Sequence, residues 1–224
     1  MSISPSWRPP SARSTRAGSS GNPAPACIGN AIPDIFSRKV IWWEIWPTET
    51  GTLAREFIEH AIEANGGIVP GAIHADRGTS MTSNTVSGLL ALLGIDQSHS
   101  RPHVSNDNPY SEAQFKTLKY CPAFPGTFGS IEDAHVFCGQ FFHYYNNEHR
   151  HSGIGMHIPE SVHDGSAVKI HAKRAATLNE AFLAHPERFH GRRPVPLPLP
   201  SRVWINKPPA TLQTETSAQT PQVA

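Results

Sequence analysis

The stretch from Lys39 to Trp46 (KVIWWEIW) constrains the fold most strongly, because it is rich in Val, Ile and Trp, as a buried strand is. Residues 53–62 follow with apolar side chains at every fourth position and glutamates on another face, which predicts an amphipathic helix. Thr48 or Thr50 is placed to cap this helix, and Gly66-Gly67 to end it.

The alternation of strand and helix continues along the chain. Strands are predicted at Gly71–Ala75 and Ile95–Ser100, with a helix at about Asn84–Leu93 between them and Gly94 as its cap. This order predicts an α/β domain with parallel strand pairing.

Three further helices are predicted after the last of these strands. Asp107 is placed to cap the first, with Pro109 in its first turn; the others span about Ile131–Asn147 and the Ala-rich segment Ser166–His185. Residues 194–200 (PVPLPLP) are typical of an extended connector.

The two ends of the chain lack any such periodicity. Residues 1–33 hold six prolines and no acidic residue, and the last residues are polar without a core pattern, so both ends are predicted to be disordered. The expected organisation is a leader (1–31), a core domain (32–165), a helical and extended extension (166–205) and a tail (206–224).

Composition and charge exclude some classes of protein. No apolar run approaches the ~18 residues of a membrane span, and no signal peptide follows Met1. The net charge of +1 hides an excess of seven acidic residues in 34–165 between basic ends. This distribution fits a carboxylate metal site flanked by phosphate-binding arms, or merely solvated tails.

Two carboxylates are candidates for chemistry. Asp76 lies in HADRGTSMTS, where a strand should give way to a turn, so it is either a ligand-binding group at the carboxyl edge of a sheet or a turn former. Glu112 lies early in a helix with Lys116 and Lys119 one and two turns along. That pattern suits an ordinary Glu–Lys helix pair, or a metal ligand beside two DNA-contacting lysines.

Four phrases stand in a specific order: DIFSRK from Asp34, HADRGT from His74, SNDNPYSEAQFKTLK from Ser105 and YYNNEHRHSGIG from Tyr144, with 35 residues between Asp76 and Glu112. From about Ile32 to Gly165 they resemble the integrase catalytic core of bacterial insertion-sequence transposases and retroviral integrases. The resemblance implies an α/β, ribonuclease-H-like fold and metal-dependent DNA strand transfer.

The resemblance also implies roles for single residues. Asp76 and Glu112 match two of the three catalytic carboxylates, which bind two Mg²⁺ or Mn²⁺ ions through hard oxygen ligands. Lys116, Lys119, Arg150 and His151 match positions near DNA. The implied partners are DNA and a second copy or a full-length transposase, with neither a membrane nor a small-molecule substrate, in the bacterial cytoplasm with the nucleoid.

The first catalytic Asp has no match. The resemblance places it near residues 14–19, which read STRAGS, while Asp34 matches the end of the second strand and is predicted to be structural. The opening strand is central in this fold, so the core is expected to be incomplete, since Ala26–Ile32 is too short and Gly-interrupted to replace two strands. One hypothesis is that the leader is foreign or frame-shifted.

The predicted function is therefore transposase- or integrase-type DNA strand transfer, in a truncated or inactive copy. One alternative is a non-catalytic DNA-binding remnant that interacts with full-length transposase, and another is a nuclease that only hydrolyses. A zinc site at His143, His149, His151 and His157 is disfavoured because no Cys pair accompanies them. The aromatic residues of 137–145 suit base stacking or, at helical spacing, a core.

Overall fold

The computed structural model describes residues 2–3, 28–101 and 107–205, the first two by their backbone alone. The strands are β1 (Ser2–Ile3), β2 (Ile28–Pro33), β3 (Val40–Trp46), β4 (Ala72–Ala75) and β5 (Asp96–His99). The helices are α1 (Gly51–Ala64), α2 (Asn84–Leu93), α3 (Pro109–Lys119), α4 (Ile131–Asn147), α5 (Pro159–His163) and α6 (Ala167–Ala184), with short 3-10 turns at Ser152–Ile154 and Pro186–Phe189.

The strands form two hydrogen-bonded groups. Parallel pairing, as predicted, joins β1 to β4 and β4 to β5. By contrast, β2 and β3 are antiparallel, because the short turn of residues 34–39 between them leaves no room for the crossover that parallel strands require.

β1 is an edge strand of the three-stranded sheet, whose strand order is β1-β4-β5. Its two residues pair with His74 and Ala75 of β4, and β1 also lies close to β2 of the two-stranded sheet. The expectation that the opening strand is missing is therefore corrected to a strand of only two residues.

The segment expected to be too short and Gly-interrupted to replace two strands forms one strand, β2. It begins at Ile28, four residues before the predicted boundary at residue 32. It forms because β3 pairs with it along its length, and Ala31 and Ile32 are fully buried on opposite faces. The tails predicted to be disordered fall largely in residues 4–27 and 206–224, outside the described residues.

Helices cover both faces of the sheet. On one face α1 and α2 pack on a cluster that includes Phe57, Leu90 and Ile73, and on the other α3 and α4 pack on a cluster that includes Leu118 and Phe141. Successive strand residues point to opposite faces, which is why neighbouring residues such as Ala31 and Ile32 belong to different clusters.

The helix ends follow local chemistry. Thr50 accepts a hydrogen bond from the backbone N–H of Leu53 at 3.2 Å and so caps α1, one of the two predicted alternatives. Gly94 ends α2 in the left-handed conformation, at a φ of 67°. On α4, Phe141, Phe142 and Tyr145 are buried, which confirms the core interpretation for these three.

The last helix differs from the others. In α6, only Ala167 is buried, and residues 194–200 beyond it form neither helix nor strand. Within the described residues, none of the helices combines the length and the apolar character that a membrane span requires.

Candidate functional site

Asp76 lies directly after β4, at the carboxyl end of the parallel strands. Its Oδ1 atom accepts a 2.6 Å hydrogen bond from the hydroxyl of Ser100, which follows β5 in the same way. The backbone N–H of Ser100 in turn donates to the carbonyl of Ala75 at 3.1 Å. The half-buried carboxylate is thus held by the neighbouring strand, with one oxygen engaged.

His74 connects this carboxylate to the next helix. Its Nδ1 atom lies 3.0 Å from the hydroxyl of Ser98, and its Nε2 atom lies 3.4 Å from that of Ser100. Burial lowers the pKa of His74, although the backbone of Asp107 and the charge of Asp76 act in the opposite direction. The ring is therefore favoured in its neutral form, between Asp76 and the start of α3.

Asp107 does not cap α3 through its side chain, contrary to the sequence prediction. Asn108 occupies the cap position, without a side-chain cap bond, and Pro109 begins the helix. The buried carboxylate of Asp107 instead accepts three hydrogen bonds from Arg101, from its backbone N–H (2.7 Å), Nε (2.9 Å) and Nη2 (2.8 Å). A two-pronged guanidinium–carboxylate pair of this kind adds geometric specificity as well as energy, and it holds the start of α3 beside the end of β5.

The face of α3 that points away from the sheet carries charge. Glu112, Lys116 and Lys119 are exposed, whereas Gln114 and Leu118 are buried on the face that lies against β1 and β2. No ion pair joins Glu112 to either lysine within the described residues. The ordinary Glu–Lys helix pair is therefore not formed here.

The donor set was compared with the requirements of Mg²⁺ or Mn²⁺. Asp76 and Glu112 supply the hard oxygen atoms that these ions prefer. The described residues nevertheless contain no group of three His, Cys, Asp or Glu side chains that could hold a metal ion. They therefore do not fit a complete metal centre, and the two carboxylates stay predicted ligands.

Asp34 is a turn residue, as the sequence predicts. Its carboxylate accepts hydrogen bonds from the backbone N–H groups of Phe36 (3.3 Å) and Ser37 (3.0 Å) and from the Ser37 hydroxyl (2.6 Å). Burial alone would raise the pKa of Asp34, but hydrogen bonds from His163 and Ser37 outweigh it and hold the pKa well below its usual range. Asp34 thus stabilises the turn between β2 and β3.

Arg150 and His151 are neighbours in different surroundings. The Arg150 side chain is exposed, and its Nη1 atom donates to the carbonyl of Met156 at 3.4 Å. The ring of His151 packs 4.8 Å from Tyr145 and 4.4 Å from His149, with a buried, unpartnered Nε2 atom. Burial, followed by the charges of His149 and Arg38, lowers the pKa of His151 to about 4.

Sequence reasoning missed the polar network that positions the site, namely Ser98, Ser100, Arg101 and the ring of His74. A signal for part of it was present, because Ser98 and Ser100 alternate along the predicted strand and so share a face. The pairing of Arg101 with Asp107 had no local signal, because it depends on how the chain returns to the sheet.

Comparisons with known proteins agree with the resemblance seen in the sequence. Two models described as integrase core domain match residues 27–105 and 93–159, which together cover more than half of the chain. The transposase for insertion sequence element IS904 of Lactococcus lactis is 28% identical over 131 residues, 57% of this chain and 51% of that protein. The chain thus spans about half the length of the curated relative it matches.

Two solved structures are also similar. The catalytic core domain of BIV integrase has 20% sequence identity and a TM-score of 0.50, over 65% of this chain and 91% of that one. A chain of the simian T-cell lymphotropic virus intasome in complex with PP2A regulatory subunit B56 gamma has 17% identity and a TM-score of 0.49, over 62% of this chain and 48% of that one. Integrase-core proteins as a family serve DNA integration and transposition and in general depend on divalent metal ions. The chain belongs to the integrase-core family and has the ribonuclease-H-like fold of its catalytic cores.

Proposed function

We propose that this chain is the core segment of an insertion-sequence transposase, that it binds DNA through the exposed face of α3, and that it does not complete strand transfer by itself. The observation that carries the proposal is the position of α3. The helix starts beside the strand ends that hold Asp76 and presents Glu112, Lys116 and Lys119 to solvent.

The two lysines are suited to phosphate contacts. Both are exposed, and neither takes part in an ion pair within the described residues. A lysine without an internal partner is available to neutralise a DNA phosphate. The cations condensed on the DNA at that phosphate are then released, which gives affinity without sequence information. Arg150 is a third exposed cation proposed to contact DNA, whereas the ring of His151 is turned inward and is assigned a packing role.

The carboxylates limit the chemistry of this chain. Asp76 and Glu112 are proposed as two ligands of a divalent ion, and the part of the chain that the structure describes supplies no third ligand beside them. We therefore infer that strand transfer requires a full-length transposase, which supplies the missing ligand. Joining of DNA ends by the purified chain alone in the presence of Mn²⁺ would overturn this part of the proposal.

The DNA-binding part is tested by fluorescence anisotropy with a labelled duplex at several salt concentrations. We expect the double variant Lys116→Gln/Lys119→Gln to bind more weakly, and the slope of log affinity against log salt to shrink by roughly 0.9 for each phosphate that is no longer neutralised. Lys119→Arg keeps the charge and should bind like the parent chain.

The matched control is Arg55→Gln, which removes an exposed cation on α1 that is already paired with Glu59 at 3.0 Å. This variant should keep the salt slope of the parent chain. An unchanged slope in the double lysine variant, or an equal reduction in the control, would contradict a DNA-binding role for α3. Asp76→Asn should leave DNA binding intact, because the proposal assigns Asp76 to metal and not to phosphate.

A further inference from the structure

A second basic surface lies at the other end of the described chain. A groove of about 610 Å³ separates α6 from residues 194–200. Its cations are Arg150, Lys173 and Arg174, and its apolar wall includes Met156, Ile170 and Leu197. Among the residues that the structure describes, no acidic side chain lines it. We refer to it as the α6 groove.

The walls of the α6 groove are held in place. Arg174 donates from Nη1 to the carbonyl of Gly155 at 3.0 Å and from Nη2 to that of Met156 at 2.9 Å. Gly155 has a φ of 65°, and a Cβ atom there would lie 2.8 Å from the carbonyl oxygens of Leu197 and Pro198. Only glycine allows this close approach, so the loop, α6 and the proline-rich segment form one fixed unit.

The buried residues next to the groove also lie in a positively charged environment. His157, next to the groove residue Met156, is 1% exposed, and neither of its ring nitrogens has a partner. Burial is the largest cause that lowers its pKa, and the positive charges of Arg174 and Arg150 lower it further. Such a surrounding favours an anionic occupant of the groove.

The α6 groove lies close enough to α3, the helix proposed to bind DNA, for one duplex to contact both. The Tyr110 hydroxyl, in the first turn of α3, donates to the carbonyl of Trp204 at 3.1 Å. From Leu197 to Trp204 an extended chain spans at most roughly 25 Å. That length corresponds to about seven base pairs of duplex, so one DNA molecule is long enough to touch both surfaces.

We propose that the α6 groove binds the phosphate backbone of the same DNA duplex that α3 contacts, with Lys173 and Arg150 as the phosphate contacts and the apolar wall against the deoxyribose. This inference rests on the proposed function. DNA is favoured over an acidic protein segment because the proline-rich segment runs from the groove directly to α3, the helix proposed to bind DNA.

The test measures duplex binding against salt for the full chain and for Lys173→Gln and Arg150→Gln, singly and together. We expect each single variant to reduce the salt slope by roughly 0.9 and the double variant by about twice that amount. Lys173→Arg should behave like the parent chain, and Arg55→Gln again serves as the control for removal of one positive charge.

Each outcome decides between the two proposals. If the groove variants bind like the parent while Lys116→Gln/Lys119→Gln weakens binding, the groove inference and the proposed Arg150 contact are overturned, and the DNA-binding role of α3 stands. If the parent chain does not bind duplex DNA at all, both fall. Binding of poly-L-glutamate that depends on Lys173, without DNA binding, would make the groove a site for an acidic protein and would also overturn the inference.

Discussion

Helices α1 and α6 are both long, yet the fold uses them differently. Of the 14 residues of α1, Ala54, Phe57, Ile58 and Ala61 are buried, whereas among the 18 residues of α6 only Ala167 is. The reason is position, because α1 lies on the sheet and α6 extends beyond it.

Two kinds of interaction therefore stabilise the two helices. Burial of a large apolar side chain such as Phe57 contributes about 1.5–3 kcal/mol, which ties α1 to the stability of the whole core. α6 is held mainly by the two hydrogen bonds of Arg174 and by the small apolar cluster of Ile154, Val162 and Ala167. A helix attached in this way is free to present its remaining surface to a partner.

The largest expected effect on the free energy of unfolding comes from a substitution in α1, the helix that packs on the core. Phe57→Ala removes a ring that is 1% exposed and packs 5.5 Å from the ring of Trp46, so the free energy of unfolding should fall by about 3–5 kcal/mol. Leu183→Ala on α6, where the side chain is 71% exposed, should change it by no more than about 0.5 kcal/mol. Urea unfolding measures both; similar decreases would show that α6 is part of the same core.

Loss of the Arg174 hydrogen bonds should release α6 without unfolding the core. Arg174→Ala removes both bonds to the 155–156 carbonyls, and the local free energy of opening of α6 should fall by about 2–3 kcal/mol. Hydrogen exchange should then accelerate in α6 and stay unchanged in α1. Lys173→Ala, which removes no such bond, is the control; equal acceleration in both variants would contradict the role of Arg174.

Acidification should destabilise the loop between α4 and α5, which contains His151. The pKa of His151 is lowered from 6.5 to about 4, so its neutral form favours folding; this stability is complete above about pH 6.5 and is lost as the pH falls towards 4. Between pH 7 and pH 5 the decrease from this group is about 2 kcal/mol.

Urea unfolding at the two pH values measures this decrease. His149, His157 and His74 shift in the same direction, while His60, whose pKa is raised by Glu44, acts in the opposite one. His151→Phe keeps a ring against Tyr145 and should lose less stability on acidification than the parent chain. An equal decrease in both would exclude His151 as its source.

The smallest expected effect compares the first turns of the two helices. Thr50→Ala removes the cap bond of α1 and should cost about 1 kcal/mol in the free energy of unfolding. Ser166 occupies the same position in α6 without a side-chain cap bond, and its hydroxyl makes a long, 3.4 Å bond to the carbonyl of Ser161. Ser166→Ala should therefore cost less than Thr50→Ala, about 0.5 kcal/mol. Thermal melts of the two variants side by side measure the difference, and equal costs would mean that the Thr50 bond adds nothing.

Long periodic elements were predictable from the sequence. The bounds of α2 and α4 match the predicted ranges, and α1, α6 and β3–β5 lie within a few residues of them. Asp76 and Glu112 were singled out from the sequence as candidate ligands, through the phrases around them and the spacing between them, and they stay predictions. Helical periodicity, caps and motif phrases are local properties, which the residues themselves carry.

What the tertiary structure decided depends on contacts between distant residues. It made a strand of the Gly-containing β2 by pairing it with β3, and it paired the two residues of β1 with β4. It also drew Asp107 away from the helix cap to Arg101 and turned the ring of His151 inward. The sequence by itself determined the helices, the long strand and the candidate carboxylates; strand pairing, burial and hydrogen-bond partners required the folded chain, because each is set by which distant residue comes to lie opposite.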